Sequence, residues 1–291
     1  MRIWILFCCL AGLTACIREE EYVNDPEGNF DQLWKIIDEK YCFLDYKDID
    51  WDAIGTEYRS RLYPEMSNQE LFGVLNDMLY ELKDGHVNLT SEENQSHFDF
   101  WTDSPVNFNE SLIENTHYLG RNYRQIAGLK YRILSDNIGY IYYETFADGI
   151  GNSDLDVVFS YLADCKALIF DVRNNPGGTI DSVVDMLDTL LPEGDLVSAT
   201  YHDGHSEVLG TSDADEVNLP MVVITNENTA SAAELFAQAI KDYNKGRTVG
   251  TQTYGKGVMQ TIYPLSDGGA LSITVAKYNP PKSENFDGVG V

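Results

Sequence analysis

From Ile138 to the end of the chain, apolar runs of strand length alternate with stretches of helical periodicity, and this alternation constrains the fold more than any other feature. The strand candidates are Ile138–Tyr143, Ala167–Val172, Met221–Thr225, Arg247–Thr251 and Leu271–Ala276. Ser153–Leu162, Asp181–Leu190 and Ala232–Asp242 fit helices. Apolar strands interleaved with helices require a layered α/β core with a mostly parallel sheet. The alternation reads as a core over 138–291.

Upstream, the periodicity is helical. Phe30, Leu33, Trp34, Ile37 and Tyr41 share one face at 3.6-residue spacing, a second helix fits Trp51–Leu62, and Ser67 with Glu70 forms a capping box ahead of Leu71, Leu75, Met78, Leu79 and Leu82. Residues 30–89 therefore read as a small helical subdomain, with Asn24–Gly28 inside an acidic linker over 16–29. The helical stretch ends at Lys83-Asp84-Gly85-His86, and Val87-Asn88-Leu89 alternates like the start of a strand. Residues 90–137 form an irregular connecting segment of weak periodicity.

The first residues are a targeting segment rather than part of the fold. Arg2 precedes the apolar run Ile3–Leu10, which is too short to cross a bilayer core of about 30 Å as a helix. Leu13-Thr14-Ala15-Cys16 resembles the lipobox of bacterial lipoproteins. That implies removal of residues 1–15 and acylation of Cys16, tethering the mature chain to a membrane of the cell envelope. Ile17-Arg18-Glu19-Glu20-Glu21 resembles the surface-export signals of Bacteroidetes-type lipoproteins, and an acidic spacer explains it nearly as well.

Charge narrows the partners. With 20 basic and 47 acidic residues the formal charge is -27, a field that repels nucleic-acid phosphates and argues against polybasic membrane attachment. Beyond the leader only Cys42 and Cys165 remain, neither at metal-ligand spacing; both read as buried structural thiols rather than a disulfide. No clustered His/Cys set supports a metal, and nothing points to a cofactor.

Three segments carry chemistry. The strand Ala167–Val172 runs through Arg173-Asn174-Asn175-Pro176-Gly177-Gly178 into a helix, and paired glycines let backbone N–H groups approach a ligand as an oxyanion hole requires. After Met221–Thr225, Ser231 lies in Ala230-Ser231-Ala232-Ala233-Glu234 at the start of a helix. A serine there suits an N-cap, but small neighbours leave its hydroxyl accessible and place the Ala232 N–H beside it. In Gly255-Lys256-Gly257, the lysine sits between glycines within strand-like sequence. Desolvated, its amine would be deprotonated readily enough to take a serine proton.

Together, Asp171-x-Arg173-x-Asn175-x-Gly177-Gly178, the Ala-Ser231-Ala-Ala-Glu setting and Gly255-Lys256-Gly257-x-x-Gln260 resemble the C-terminal processing, or tail-specific, peptidases. The resemblance implies a serine peptidase of peptides or proteins, on a core of the ClpP/crotonase-like kind. It implies Ser231 as nucleophile, Lys256 as general base, Gln260 orienting the lysine, and Ala232 with Gly177 or Gly178 binding the oxyanion. Asp171 and Arg173 match the motif and suit an ion pair that positions the turn. Related tricorn-type peptidases use a histidine after a helical subdomain, a place His86 resembles, so His86 is an auxiliary or alternative base.

Two departures stand out. Typical members carry a PDZ domain of roughly 80 to 100 residues between the helical part and the core, and the stretch from Val87 to Asn137 is too short for a complete one. Asn285–Val291 resembles a Gly-rich turn that relatives continue into a closing segment, which implies truncation of the core. Rival readings are a binding lipoprotein on the same scaffold and a crotonase-like acyl-transfer enzyme; the presence of Ser231, Lys256 and Gln260 favours the peptidase. The lipobox reading predicts that a fatty-acid analogue labels the wild-type chain in cells and that Cys16→Ser abolishes the label; equal labelling of both would refute it.

Overall fold

The computed structural model describes residues 22–96, 107–115, 118–212 and 217–291; the leader and Cys16 lie outside them. Three helices open the described chain: α1 (Pro26–Lys40), α2 (Trp51–Arg59) and α3 (Asn68–Tyr80). Helix α1 starts within the stretch read as linker, because Asp25 Oδ1 accepts the Gly28 N–H at 2.8 Å and Pro26 is preset for a first turn. The Ser67/Glu70 capping box of α3 is present, with Glu70 Oε2 accepting the Ser67 N–H at 2.9 Å.

The next elements are β1 (Asn88–Thr90), α4 (Glu110–Asn115), β2 (Arg124–Ile126), β3 (Leu129–Ile133) and β4 (Ile138–Tyr143). Three crossovers follow: α5 (Asn152–Leu162) to β5 (Ala167–Asp171), α6 (Ile180–Leu190) leading on to β8 (Met221–Thr225), and α7 (Ala232–Asp242) to β9 (Gly246–Gly250). Between α6 and β8 lies the hairpin β6 (Gly194–Tyr201) and β7 (Ser206–Thr211), and the chain closes with β10 (Val258–Pro264) and β11 (Ala270–Asn279).

The strands make two sheets. In the first, ordered β2-β3-β4-β5-β8-β9, the β4-β5-β8-β9 run is parallel, as the strand and helix alternation requires, and β2-β3-β4 is antiparallel. Its strands begin at Arg124, so part of the stretch read as irregular belongs to the core sheet. The second sheet, β1-β11-β6-β7 with β10 on the other edge of β11, is antiparallel throughout.

Side-chain alternation gives the first sheet two apolar faces. Ile141, Tyr143, Leu168, Phe170 and Val223 face the main core with α5, α6 and α7. Tyr140 and Tyr142 point the other way, where Ile113 and Leu119 cover them. A separate core joins the N-terminal helices to the second sheet: Phe30, Leu33, Leu75 and Met78 pack with Leu271, Ile273 and Val275 of β11. The helical part and the C-terminal strand thus depend on each other for burial. Ile273 is fully buried there, so Ile273→Ala is expected to cost about 2–5 kcal/mol, read from the denaturation midpoint, with far-UV dichroism and tryptophan fluorescence shifting together.

Candidate active site

Ser231 caps α7 at the C-terminal end of β8, where open α/β sheets bind ligands. Its backbone lies at φ 56°, ψ -121°, a conformation unfavourable for any residue but glycine, and its hydroxyl makes no capping bond. Such strain at the junction of strand and helix lifts a nucleophile clear of the sheet and persists only where neighbours over-determine it. Here the Ser231 N–H donates to Glu234 Oε2 at 2.8 Å, and the Ala230 N–H to the Asn175 carbonyl at 2.9 Å.

The turn after β5 abuts this one. Gly177 has φ 94°, and a Cβ there would lie 2.8 Å from both Ala232 N and Ser231 Cβ, so only glycine lets the two turns touch. Gly178, at φ 153°, is pressed against the Phe146 carbonyl carbon, where a Cβ would fall at 2.1 Å. The Gly177 N–H is already committed to Asn175 Oδ1 at 2.8 Å. Among the described residues, the hydrogen bonds leave the N–H groups of Gly178 and Ala232 without a protein partner. Asp171, fully buried, accepts the Tyr140 hydroxyl at 2.6 Å and a bidentate Arg173 guanidinium at 2.8 and 2.5 Å, which locks the start of the turn.

Lys256 lies on the segment between β9 and β10 and lines an opening next to these two turns, one of which Ser231 is not a lining residue. Asn174, Pro176, Asn228, Ala230, Tyr254 and Lys256 line an opening of 490 Å³. The Tyr254 N–H donates to the Thr229 carbonyl at 3.0 Å, and the Gly255 and Lys256 N–H groups donate to Glu234 at 2.6 and 2.8 Å. Glu234 also accepts the Thr253 hydroxyl at 2.6 Å, so one buried carboxylate receives four donors from both walls of the cleft. Burial raises the Glu234 pKa while these donors oppose the rise. Four donors and no acceptor are the surroundings of an ionised carboxylate. Burial also lowers the Lys256 pKa below the ordinary lysine value, with the charges of Glu234 and Asp84 pulling the other way. Ser231 Oγ and Lys256 Nζ share no hydrogen bond among the described contacts; such pairs are commonly loose until substrate closes the site.

The family model described as Peptidase family S41 matches residues 137–291, more than half of the chain, and the one described as Tricorn protease C1 domain matches residues 22–80. The chain belongs to peptidase family S41. A carboxyl-terminal-processing protease of Synechocystis is 37% identical over 123 residues, covering 42% of this chain and 29% of the relative. A carboxy-terminal-processing protease of Bartonella bacilliformis is 31% identical over 179 residues, 59% of this chain and 41% of the relative. The match thus spans well under half the length of these curated relatives. Among solved structures, a candidate peptidase of Parabacteroides merdae superposes with a TM-score of 0.74 at 32% identity, over 92% of this chain and 88% of that one. The photosystem II D1 C-terminal processing protease shares the fold, with a TM-score of 0.69 at 19% identity over 92% of both chains.

Other sequence candidates of this S41 chain sit differently from one another. Gln260 Nε2 donates to the His86 carbonyl at 2.5 Å and to Ser272 Oγ at 3.4 Å, and it makes no hydrogen bond to Lys256. A bulge between Met259 and Gln260 shifts the β10/β11 register there and turns the carboxamide toward β1. His86 Nδ1 lies 3.1 Å from Asp84 Oδ1, beside a second cavity of 320 Å³ that Gly255 and Asp287 also line. Burial alone would raise Asp84; the His86 hydrogen bond, the Lys47 charge and the Tyr41 hydroxyl outweigh it and hold the carboxyl well below the usual range. Cys42 and Cys165 are free thiols in different cores, and burial pushes Cys42 up to about 12. Glu110, Glu114 and Glu144 converge as a metal site would, yet the Lys130 ammonium occupies their centre, 2.7 Å from Glu114 and 3.6 Å from Glu110.

The sequence places Glu234 and Asn175 inside two of the motifs without indicating what either side chain does. The Ser231-x-x-Glu234 spacing is that of a capping box and signals the first; the second bonds Gly177 locally, while its contacts to Tyr143 and Ala230 are distant in sequence. Because Glu234 takes only donors, Glu234→Gln would set an NH2 group against N–H groups and leave a buried mismatch. We expect a stability loss of about 1–3 kcal/mol or more in chemical denaturation, against near-neutral behaviour of Glu65→Gln at an exposed position.

Proposed function

We propose that this S41 chain is a serine endopeptidase in which Ser231 is the nucleophile and Lys256 its general base. The observation that carries the reading is Glu234, which ties the Ser231 N–H and the Lys256 N–H to the same carboxylate oxygen. That shared oxygen ties the backbones of the proposed nucleophile and base together, and burial lowers the amine's pKa. In the forward step the Lys256 amine takes the Ser231 proton as Oγ bonds to the substrate carbonyl carbon, and the oxyanion is received by the Gly178 and Ala232 N–H groups. Collapse breaks the C–N bond and the lysine ammonium returns its proton to the leaving amine. Water, deprotonated by the same amine, then releases the acid and restores Ser231. Of the two candidate glycines, Gly178 suits the hole better because the Gly177 N–H is occupied.

The relatives named as carboxyl-terminal-processing proteases support peptide or protein substrates. The lipobox at Cys16 supports an envelope location by lipid anchor, where substrates would be envelope or extracellular polypeptides. No helix among the described residues is long and apolar enough to cross a membrane.

One observation favours a second reading. His86 paired with the buried Asp84 has the form of a general base held in one tautomer, as in a serine, histidine and acid arrangement. Three variants separate the two. Lys256→Ala is expected to lower peptide turnover by about 10²- to 10⁴-fold, Lys256→Arg to rescue nothing because a guanidinium stays protonated, and His86→Ala to leave turnover close to wild type. Since the amine must be neutral to act and burial lowers its pKa, activity should rise with pH through a midpoint below the ordinary lysine value of about 10.4. Near-normal turnover in Lys256→Ala with collapse in His86→Ala would transfer the role to His86, and full turnover in Ser231→Ala would sink the peptidase reading.

A further inference from the structure

The cleft walls are held by a third element that the chemistry above does not use. Asn226, almost fully buried at the end of β8, is saturated: its Nδ2 donates to Asn174 Oδ1 at 2.7 Å and to Asn107 Oδ1 at 2.9 Å. Its Oδ1 accepts the Asn174 N–H at 2.9 Å and the Asn228 N–H at 3.2 Å. Asn174 and Asn228 line the cleft beside Lys256. Asn107 is thus the one partner of this hub that comes from outside the two catalytic turns, 119 residues away in sequence. Its own Nδ2 reaches Glu227 and, at 3.5 Å, Thr251 Oγ1 at the end of β9.

The next residue grips the other turn. The Phe108 ring lies 5.0 Å from the Arg173 guanidinium and stacks on Tyr142 at 5.7 Å and 29°. Two residues further on, α4 is fastened at its far side: Glu110 and Glu114 pair with Lys130 of β3, and Ile113 is buried against the sheet face that carries Tyr140 and Tyr142. Residues 107–115 therefore run as a strap, anchored on β3 and β4 at one end and on both catalytic turns at the other.

We infer that Asn107 and Phe108 are positioning residues: through Asn226 and Arg173 they set the 174–178 turn, and with it the Gly178 N–H, relative to Ser231. Asn174 sits at φ 59° and Ser231 at φ 56°, so both turns hold conformations that relax when a restraint is lost. Asn107→Ala removes the acceptor of one buried Asn226 N–H and both ties to Glu227 and Thr251. Phe108→Ala frees the guanidinium that Asp171 and the ring together orient. Neither residue lines the cleft, so the effect should fall on the chemical step rather than on substrate binding.

The kinetic part rests on the peptidase reading, and the test is arranged to separate the two. Full-length wild type, Asn107→Ala, Phe108→Ala and Phe108→Tyr are compared by hydrogen-exchange mass spectrometry and by steady-state peptide hydrolysis. Asn107→Ala and Phe108→Ala are expected to speed exchange in peptides covering 174–178 and 226–231 while β4, β5 and β8 stay protected. They should lower kcat by roughly 10- to 100-fold, the scale of a small misplacement at a reacting centre, with KM within about threefold of wild type. Phe108→Tyr should keep both properties. Unchanged exchange in the two turns for a folded Asn107→Ala overturns the inference, and so does a loss confined to KM or a global loss of protection in both alanine variants. If exchange changes as expected while no variant, wild type included, hydrolyses peptide, the strap stands and the peptidase reading fails.

Discussion

The cleft depends on one buried carboxylate. Glu234 is fully enclosed and takes hydrogen bonds from Ser231, Thr253, Gly255 and Lys256, three of them backbone N–H groups. Removing an ionised carboxylate from water costs several kcal/mol, and each charge-assisted hydrogen bond returns about 1.5–3 kcal/mol, so the group is tolerable only with all four donors in place. Those donors come from the start of α7 and from the segment after β9, which the Tyr254 N–H to Thr229 carbonyl bond also joins. The bond to Ser231 N also restrains a residue whose backbone would otherwise leave the left-handed region.

That arrangement sets a compromise for the lysine. The Glu234 charge stabilises the Lys256 ammonium and burial destabilises it, and burial is the larger effect. A carboxylate bonded to the lysine's side chain would have fixed the ammonium in its charged form. Here the carboxylate is spent on backbone N–H groups, including the lysine's own, so it holds the loop in place while leaving the amine's proton loosely held. Uncharged asparagines perform the equivalent task on the opposite wall: Asn175 bonds Gly177 N and the Tyr143 carbonyl, and Asn226 joins Asn174 to Asn228.

What could be read from the sequence follows the length and regularity of each burial pattern. Helix α7 is found with the bounds its pattern indicated, Ala232–Asp242, and β4 and β8 likewise, because the helix carries a regular apolar stripe and the strands are apolar runs. The β6/β7 hairpin escaped notice: five of the six residues of β7 are exposed or half-buried, so the period-2 signal is missing. Helix α4 has six residues, fewer than two turns, too few to show a stripe, and β2 is three residues of largely polar character. In the candidate site, the positions that carry a local motif, Ser231, Lys256 and the glycine pair, stood out. The residues that join the motifs did not, since Asn226 meets Asn174 across 52 positions and Asn107 across 119. Gln260 shows the limit from the other side, because its spacing from Lys256 matched while a single bulge sends its amide to the His86 carbonyl.

Each of the two cavities holds one candidate base. His86 faces Asp84, whose carboxyl is held ionised, and Asp287 lies along the same cavity with its pKa raised by burial and by Asp84. Asp84 receives the His86 backbone N–H at 2.9 Å and lies 3.1 Å from its Nδ1, so that carboxylate fixes how the ring is turned. Lys256 is a cation by nature placed where burial disfavours its charge. The acidic chain, with 47 carboxylates against 20 basic side chains, favours the cation everywhere on its surface. A lysine able to act as a base in this protein therefore has to lose its charge against that field, and burial, the larger effect on its pKa, works in that direction despite the opposing charges of Glu234 and Asp84.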